Sequence, residues 1–265
     1  MSTKSPVVAL LTDFGVRDHY VGVMKGVLLS ICPNLQLIDL THEVAPQSVK
    51  EAAYLLWASY PYLPKGAIVL AIVDPGVGTS RRILLTKTKD HCFIAPDNGV
   101  LDLLLWQEKP RLVLALDDRS RVLESILPKR HSTTFHGRDI FAPIAANIAC
   151  GMSIRSMGKK CGHGEIRDPF VTAQNSRVKP AILHIDRFGN IVTNVMLPDS
   201  QAPFLKGMVV GKRRVGRWVK TYEEAPAGVP CLIVGSSGLV EIVSNKADAA
   251  LMLDASPESV LKLIV

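Results

Sequence analysis

An apolar run, Ala67–Val73, stops on Asp74, and the residues that follow, PGVGTSRR (75–82), turn on two glycines and deliver Arg81 and Arg82. A buried strand that ends on a carboxylate and brings guanidinium groups back beside it is a pattern for fixing charge at one point. Asp13 (in TDFG), Asp39, Asp97 and Asp117 recur at or near the ends of other apolar runs. In open α/β sheets, ligands bind beyond the carboxyl ends of the strands. A loop aspartate also caps helices and makes turns. Several at strand ends, two of them set among glycines, favour a binding edge over that ordinary explanation.

Two other chemistries fit less well. GVGTSRR has no GK[ST] element, and Arg81 stands where a dinucleotide fingerprint needs its third glycine, so a phosphate loop is not expected. The stretch TTFHGRDIFAP (133–143) sets His136 and Gly137 just before a helix. A lone histidine in that position is ordinarily a structural hydrogen-bonding group. Asp74 and His136 are metal ligands by type, but no HxH, HExxH or HxxxD spacing accompanies them, and no metal is expected.

These residues need a scaffold, and the pattern of the chain supplies one. VVALLTDFG (7–15), LQLIDLTHE (35–43) and AIVLAIVDPG (67–76) read as strands. DHYVGVMKGVLLSICP (18–33) and QSVKEAAYLLWASYPYLP (47–64) read as helices ended by their prolines. RILLTKTK, CFIAPDNG and LVLALDD read as further strands, and IFAPIAANIACG (140–151) as a helix stopped at Gly151. Near-continuous apolar strands separated by helices imply a mostly parallel sheet covered on both faces. From Pro180 onward, AILHIDRFGNIVTNVML and CLIVGSSGLVEIVS are short alternating runs about glycine turns, the pattern of a small antiparallel barrel. The expected fold is α/β: an N-terminal mostly parallel sheet sandwiched by helices over residues 1–165, a linker over 166–180, and a small antiparallel β-barrel over 181–265.

Composition narrows the class. Of the 265 residues, 48% are hydrophobic and 21% charged, which suits a globular core. No apolar stretch approaches the roughly 20 residues of a membrane helix, and the first residues do not read as a secretory signal. A cytoplasmic protein without a membrane partner is expected. Five widely spaced cysteines with no CxxC argue against a disulfide framework or zinc site. The net charge of +7 is partly concentrated in KGMVVGKRRVGRWVK (206–220). That stretch reads either as a nucleic-acid surface, with Trp218 stacking on a base, or as a strand pair with one solvated face. Aromatic residues make up only 6%, so stacking platforms are sparse and no nucleic-acid partner is expected.

LLTDFGVRDHYVG, VDPGVGTSRR, APDNGVL, TFHGRDIFAP, HIDRFGNIVTN and GSSGLVEI resemble, in order, motifs of the S-adenosylmethionine hydrolases, also called hydroxide adenosyltransferases, which are homologous to fluorinase and chlorinase. The resemblance runs from about residue 7 to the C-terminus. It implies an N-terminal α/β domain and a C-terminal barrel, a homotrimer with each active site between subunits, and hydrolysis of S-adenosylmethionine to adenosine and methionine without a cofactor. It implies catalytic roles for Asp74, Arg81 and His136 around the attacking water. In the halogenases a tyrosine replaces Asp74 and an uncharged residue replaces Arg81. It further implies that Asp13 takes both ribose hydroxyls, that Asp18 and Asp186 lie near the methionine ammonium, that Phe188 and Asn190 contact adenine, and that Ser236 holds the amino-acid end. Gln47 and Ser237 depart from the halogenase pattern. Halide attack on the same substrate, and binding of a nucleoside or nucleic acid without turnover, are the competing readings.

Overall fold

The computed structural model describes the chain except residues 1–4, 118–119, 131, 163, 165, 167, 173–174, 176 and 198–204. It divides into two compact units, Met1–Ile166 and Arg167–Val265. Of the stretch read as a linker, residues 167, 173, 174 and 176 lie outside the described residues. Phe170 and Val171 in that stretch are buried, and Val171 bridges to Val195 of the second unit.

The first unit runs β1 (Val7–Thr12), α1 (Tyr20–Ile31), β2 (Gln36–Thr41), α2 (Val49–Ser59), β3 (Ile68–Ile72), β4 (Ile83–Lys87), β5 (Cys92–Pro96), α3 (Asp102–Gln107), β6 (Leu112–Leu116), α4 (Arg121–Ile126), α5 (Ala142–Ala149) and β7 (Gly158–Lys160). Its sheet has the order β2-β1-β3-β5-β4-β6-β7. β2, β1, β3 and β5 are parallel neighbours. β4 is antiparallel to both β5 and β6, and β7 is antiparallel to β6. The sheet is therefore mixed, with β6 sharing the direction of the parallel four. The reversal has a local cause. The β4–β5 connection is a tight turn closed by Thr88 N–H on His91 O at 3.0 Å, and a connection that short joins only antiparallel strands.

Both faces of this sheet are covered. Val8, Leu10, Ile68, Leu70, Ile72 and Ile94 join Met24 and Leu28 of α1 and Ala142, Ala145 and Ala146 of α5 in one core. The alternate residues Ala9, Leu11, Val69, Ala71 and Phe93 are buried too, on the opposite face, where α2 packs on β1. The carboxyl ends of β1, β3, β5 and β6 consequently share one edge. Asp39, read as a strand end, lies inside β2 instead. The β1–β2 register shifts between Leu10 and Leu11, which extends β2 to Thr41.

The second unit holds β8 (Ile182–Ile185), β9 (Ile191–Met196), β10 (Gly207–Val210), β11 (Arg213–Val215), β12 (Cys231–Val234), β13 (Leu239–Val243), α6 (Ala249–Leu253) and β14 (Leu261–Ile264). Its strands are antiparallel, as expected, and among the described residues they form two sheets, β12-β13-β9-β8 and β11-β10-β14, with no closed sheet. Both sheets feed one core, which includes Ile182, Ile191, Met208, Leu232, Val240 and Leu261. Helix α6 contributes Ala250 and Leu253 to the same core. The basic stretch forms the β10–β11 hairpin, with Met208, Val210 and Val215 inward and Lys212, Arg213, Arg214 and Arg217 in solvent. Trp218 packs on this core and donates its indole N–H to Leu205 O at 2.7 Å, which is an anchoring role and not a stacking platform. Among the described residues no helix is long and apolar enough to cross a membrane.

Glu241 is a carboxyl group buried in β13, with Tyr222 O–H 3.4 Å from its Oε2. Burial pushes its pKa up from the ordinary 4.5. The Tyr222 hydrogen bond opposes that shift and nearby Asp186 adds to it. A folded-state pKa above the unfolded one means that Glu241 contributes its full stability below about 4.5. That contribution is lost as pH rises through the folded value. Glu241→Gln should therefore stabilise the fold at pH 8 relative to wild type by more than at pH 4. Urea denaturation at the two pH values checks this, and an equal effect at both would overturn it.

Candidate active site

β3 is apolar throughout and wholly buried, so the first polar side chain it can present is the one just beyond Val73. Asn98 fixes that exit by donating its amide to Val73 O at 2.8 Å. The chain then turns. Val77 N–H bonds Asp74 O at 3.1 Å, and the Thr79 hydroxyl bonds Gly76 O at 2.7 Å. Gly78 is required here. Its φ is +79°, and a Cβ would stand 2.4 Å from Thr133 O. The missing side chain lets the 74–82 loop lie against the segment that carries His136.

That segment is held by its own polar contacts. Asp139 is buried, accepts Ser132 N–H at 2.7 Å, and pairs with Arg138. His136 precedes a π-helical turn, Gly137–Phe141, a local irregularity frequent at functional sites. Phe141 places its ring 5.9 Å from the Arg81 guanidinium carbon.

Asp74, Arg81 and His136 therefore meet. Arg81 Nε lies 2.7 and 2.8 Å from the two Asp74 oxygens, and Nη2 bonds Asp74 Oδ2 as well. The same Nη2 lies 3.1 Å from His136 Nδ1. The ion pair is almost dry, with side-chain exposures of 11% for Arg81 and 6% for Asp74. A guanidinium can only donate, so His136 Nδ1 accepts and the ring proton sits on Nε2. The single Nδ1 lone pair is thereby used, whereas a carboxylate has about four acceptor sites and keeps capacity. Arg82, pointing the other way, pairs with Asp97.

The remaining strand-end aspartates divide by partner. Asp97 has Arg82, and Asp117 lies 3.0 Å from Lys159. Asp39 pairs with Lys25 and His42. Asp13 accepts the backbone N–H of Gln47 at 2.8 Å and has no cation partner among the described residues. Asp18 is exposed in the bend before α1.

In the second unit, Asp186, Phe188 and Asn190 share the β8–β9 turn. Asp186 Oδ1 accepts from Phe188 N and Asn190 N, and its Oδ2 accepts from the Asn190 amide at 2.9 Å. Asp186 is thus the anchor of its own turn. Gly189, at φ +80°, is packed so closely on Asp248 that no side chain fits. Phe188 is left 75% exposed beside a cleft of about 560 Å³, which Tyr222, Ser244 and Lys246 also line. Ser236 is exposed in the β12–β13 turn, and its neighbour Ser237 holds a buried hydroxyl without a hydrogen-bond partner among the described residues, as does Ser244. Sequence reasoning gave no role to Asn98, Tyr222 or Ser244. Asn98 was within sight, inside the motif APDNG, whereas nothing local marks Tyr222 or Ser244.

The first unit thus presents a dry carboxylate–guanidinium pair beyond a strand end, and the second, antiparallel unit carries an aromatic-walled cleft. Residues 8–158 match the family model described as the SAM hydroxide adenosyltransferase N-terminal domain, and residues 180–262 match that of its C-terminal domain. The chain belongs to the SAM hydroxide adenosyltransferase family. It is 38% identical over 245 residues to an (R)-S-adenosyl-L-methionine hydrolase of Thermus thermophilus, covering 91% of this chain and 93% of that one. It is 32% identical to an (R)-S-adenosyl-L-methionine hydrolase of Salinispora arenicola, with 98% of each chain covered. Its fold is similar to the crystal structure of an uncharacterized conserved protein from Thermotoga maritima, with a TM-score of 0.85, 31% identity, and 97% and 100% of the two chains covered.

Removing one partner of a buried ion pair costs about 3–5 kcal/mol, because the other charge is left uncompensated. Arg81→Met should lower the unfolding free energy by about that amount. Adding Asp74→Asn to it should restore part of the loss. Denaturation of the four proteins closes the cycle, and additivity within about 0.5 kcal/mol would show that the two groups are not coupled.

Proposed function

We propose that the protein hydrolyses S-adenosyl-L-methionine to adenosine and L-methionine by in-line attack of water at C5′. The observation that carries this reading is the Asp74–Arg81–His136 contact in a chain of this family. The sulfonium is already a good leaving group, so methionine departs without a general acid. What the reaction lacks is a nucleophile. Water must be held in line at about 3–3.5 Å and freed from bulk solvent. As its oxygen bonds C5′, the C5′–S electron pair passes to sulfur and the attacking oxygen sheds a proton.

The geometry favours Asp74 as the group that takes this proton. His136 Nδ1 is committed to Arg81, and a second proton on the ring would displace that bond. Asp74 keeps acceptor sites, and Arg81 stabilises the developing hydroxide character beside it. His136 then serves to orient Arg81. Attack by halide is the competing chemistry. A carboxylate beside the attacking position repels an incoming anion, whereas water arrives neutral and gains negative charge only as its proton passes to Asp74.

The substrate contacts follow the resemblance with one change. Asp13 takes the ribose diol, Phe188 walls the adenine, Asn190 reads its edge, Asp18 lies near the ammonium, and Ser236 lies at the amino-acid end. Asp186 supports the Phe188–Asn190 turn and adds negative charge near the ammonium without donating its lone pairs freely. S-adenosylmethionine is substrate and no cofactor is called for. A homotrimer in the cytoplasm completes the reading, and light scattering of the purified protein should give three times the chain mass. A monomer active at the same specific rate would remove the trimer from it.

Turnover in heavy-oxygen water should place the label in adenosine and not in methionine. Unlabelled adenosine, or a chlorinated nucleoside as main product in chloride, would overturn hydrolysis. Asp74→Asn should lower kcat about 10²–10³-fold with KM changed by less than about threefold. His136→Asn offers Arg81 a carboxamide oxygen in place of Nδ1 and should cost no more than about tenfold. The reverse ranking of the two variants in kcat would make His136 the proton acceptor.

A further inference from the structure

One polar cluster of the first unit has no part in the chemistry above. Thr12, the last residue of β1, is wholly buried, and its Oγ1 lies 2.9 Å from Nδ1 of His42, itself 4% exposed. On the far side of the ring, His42 Nε2 stands 3.0 Å from Asp39 Oδ1, off the line of an ideal hydrogen bond, so that contact acts as an electrostatic tether. Asp39 Oδ2 is bonded by Lys25 Nζ at 2.6 Å. Burial alone would raise the Asp39 pKa, but Lys25 and His42 hold it below its ordinary value, so this end of the cluster stays anionic.

Thr12 Oγ1 accepts the Phe14 N–H at 3.2 Å and keeps both a proton and a second acceptor site for the ring. In the tautomer with its proton on Nε2, Nδ1 accepts from the Thr12 hydroxyl, and in the other tautomer Nδ1 donates to Thr12 Oγ1, so the contact holds in both. His42 also grips the same turn through its backbone, because Gly15 N–H bonds His42 O at 2.7 Å. The turn so held, Thr12–Gly15, contains Asp13. From the other side Gln47 N–H bonds Asp13 Oδ2, and Gln47 keeps φ at +66° to do so. A non-glycine residue in that conformation costs about 1–3 kcal/mol and persists where surrounding structure over-determines it.

We propose that Thr12, His42 and Asp39, with Lys25 holding the outer carboxylate, form a positioning relay that aims the Asp13 carboxylate at a vicinal diol. This rests on the reading of Asp13 as the group that takes the two ribose hydroxyls. Two hydroxyls side by side demand that both carboxylate oxygens face one way. Among the described residues the Asp13 side chain is bonded by the Gln47 amide alone, at one of its two oxygens, so the turn beneath it supplies the rest of the order. His42 and Asp39 are positioning residues and not catalytic ones, since they act through Thr12 and the Gly15 amide.

The test compares two probes, adenosine and 2′,3′-dideoxyadenosine, by calorimetry on the full-length protein, alongside kcat and KM for S-adenosylmethionine. Thr12→Val and His42→Gln should weaken adenosine about tenfold and leave the dideoxy probe unchanged. KM should rise by a similar factor while kcat changes little, the signature of lost uniform binding. Thr12→Ser, which restores the hydroxyl, should restore adenosine binding. Asp39→Asn, at a side chain 43% exposed, supplies a conservative variant with the same expected direction should the buried changes fail to fold. Equal weakening of both probes, or no change in either, overturns the relay. Asp13→Asn separates the two readings. If it erases the preference for adenosine while the relay variants keep it, the relay fails. If it leaves the preference intact, the ribose reading of Asp13 fails and the relay falls with it.

Discussion

The dry ion pair between Asp74 and Arg81 is the interaction on which the rest of the first unit turns. Bringing a carboxylate and a guanidinium out of water costs several kcal/mol per ion before they attract each other. The fold meets that cost with geometry. β3 delivers Asp74 at a fixed exit, Asn98 clamps the carbonyl just before it, and a loop that only glycine at position 78 allows brings Arg81 back within 2.7 Å. Phe141 excludes solvent from one side of the guanidinium. His136 takes the remaining direction of Nη2. The couple is therefore held by hydrogen bonds and packing from several elements, the kind of preset geometry on which the proposed electrostatic stabilisation relies.

Carboxylates in and beyond the strands fall into two groups by partner. Asp97, Asp117 and Asp39 each meet a lysine or arginine, and these pairs bind neighbouring segments together. Asp13 meets a backbone amide and, among the described residues, no cation. Asp74 meets a cation, but one that is itself shared with a histidine. In the second unit Asp186 spends its acceptors on its own turn, and that turn carries Phe188 and Asn190 in the lining of the cleft. A carboxylate's environment, more than its place at the end of a strand, decides what it does.

Much of this was legible before any coordinates. The strands ending at Asp13 and Asp74, the helices closed by Pro33 and Gly151, and the change to short antiparallel strands after Pro180 all follow from periodicity and turn residues. The ordered motifs pointed to the family that the domain matches establish. Other features were out of reach. Asp39 reads as a strand end, because a register shift between β1 and β2 leaves no mark in residue type. Of the small antiparallel barrel, the antiparallel strands are found, but the described strands form two sheets over one core, an arrangement that short alternating strands suit as well as one continuous ladder. Trp218 sits in a basic stretch and invites a surface role, yet its indole is committed to Leu205 O.

By itself, the sequence determined the elements and the inventory of chemistry. Apolar period sets which segments are strands and helices, glycine and proline set where they turn, and the types of Asp74, Arg81 and His136 limit what can be done where they gather. Only the tertiary structure decided that they gather. Fifty-five residues separate Arg81 from His136, and thirty separate Thr12 from His42. Local pattern carries no information about a contact across such distances in the chain. It arises when the sheet brings strand ends to one edge and the packing of loops on that edge selects which side chains share their lone pairs and protons.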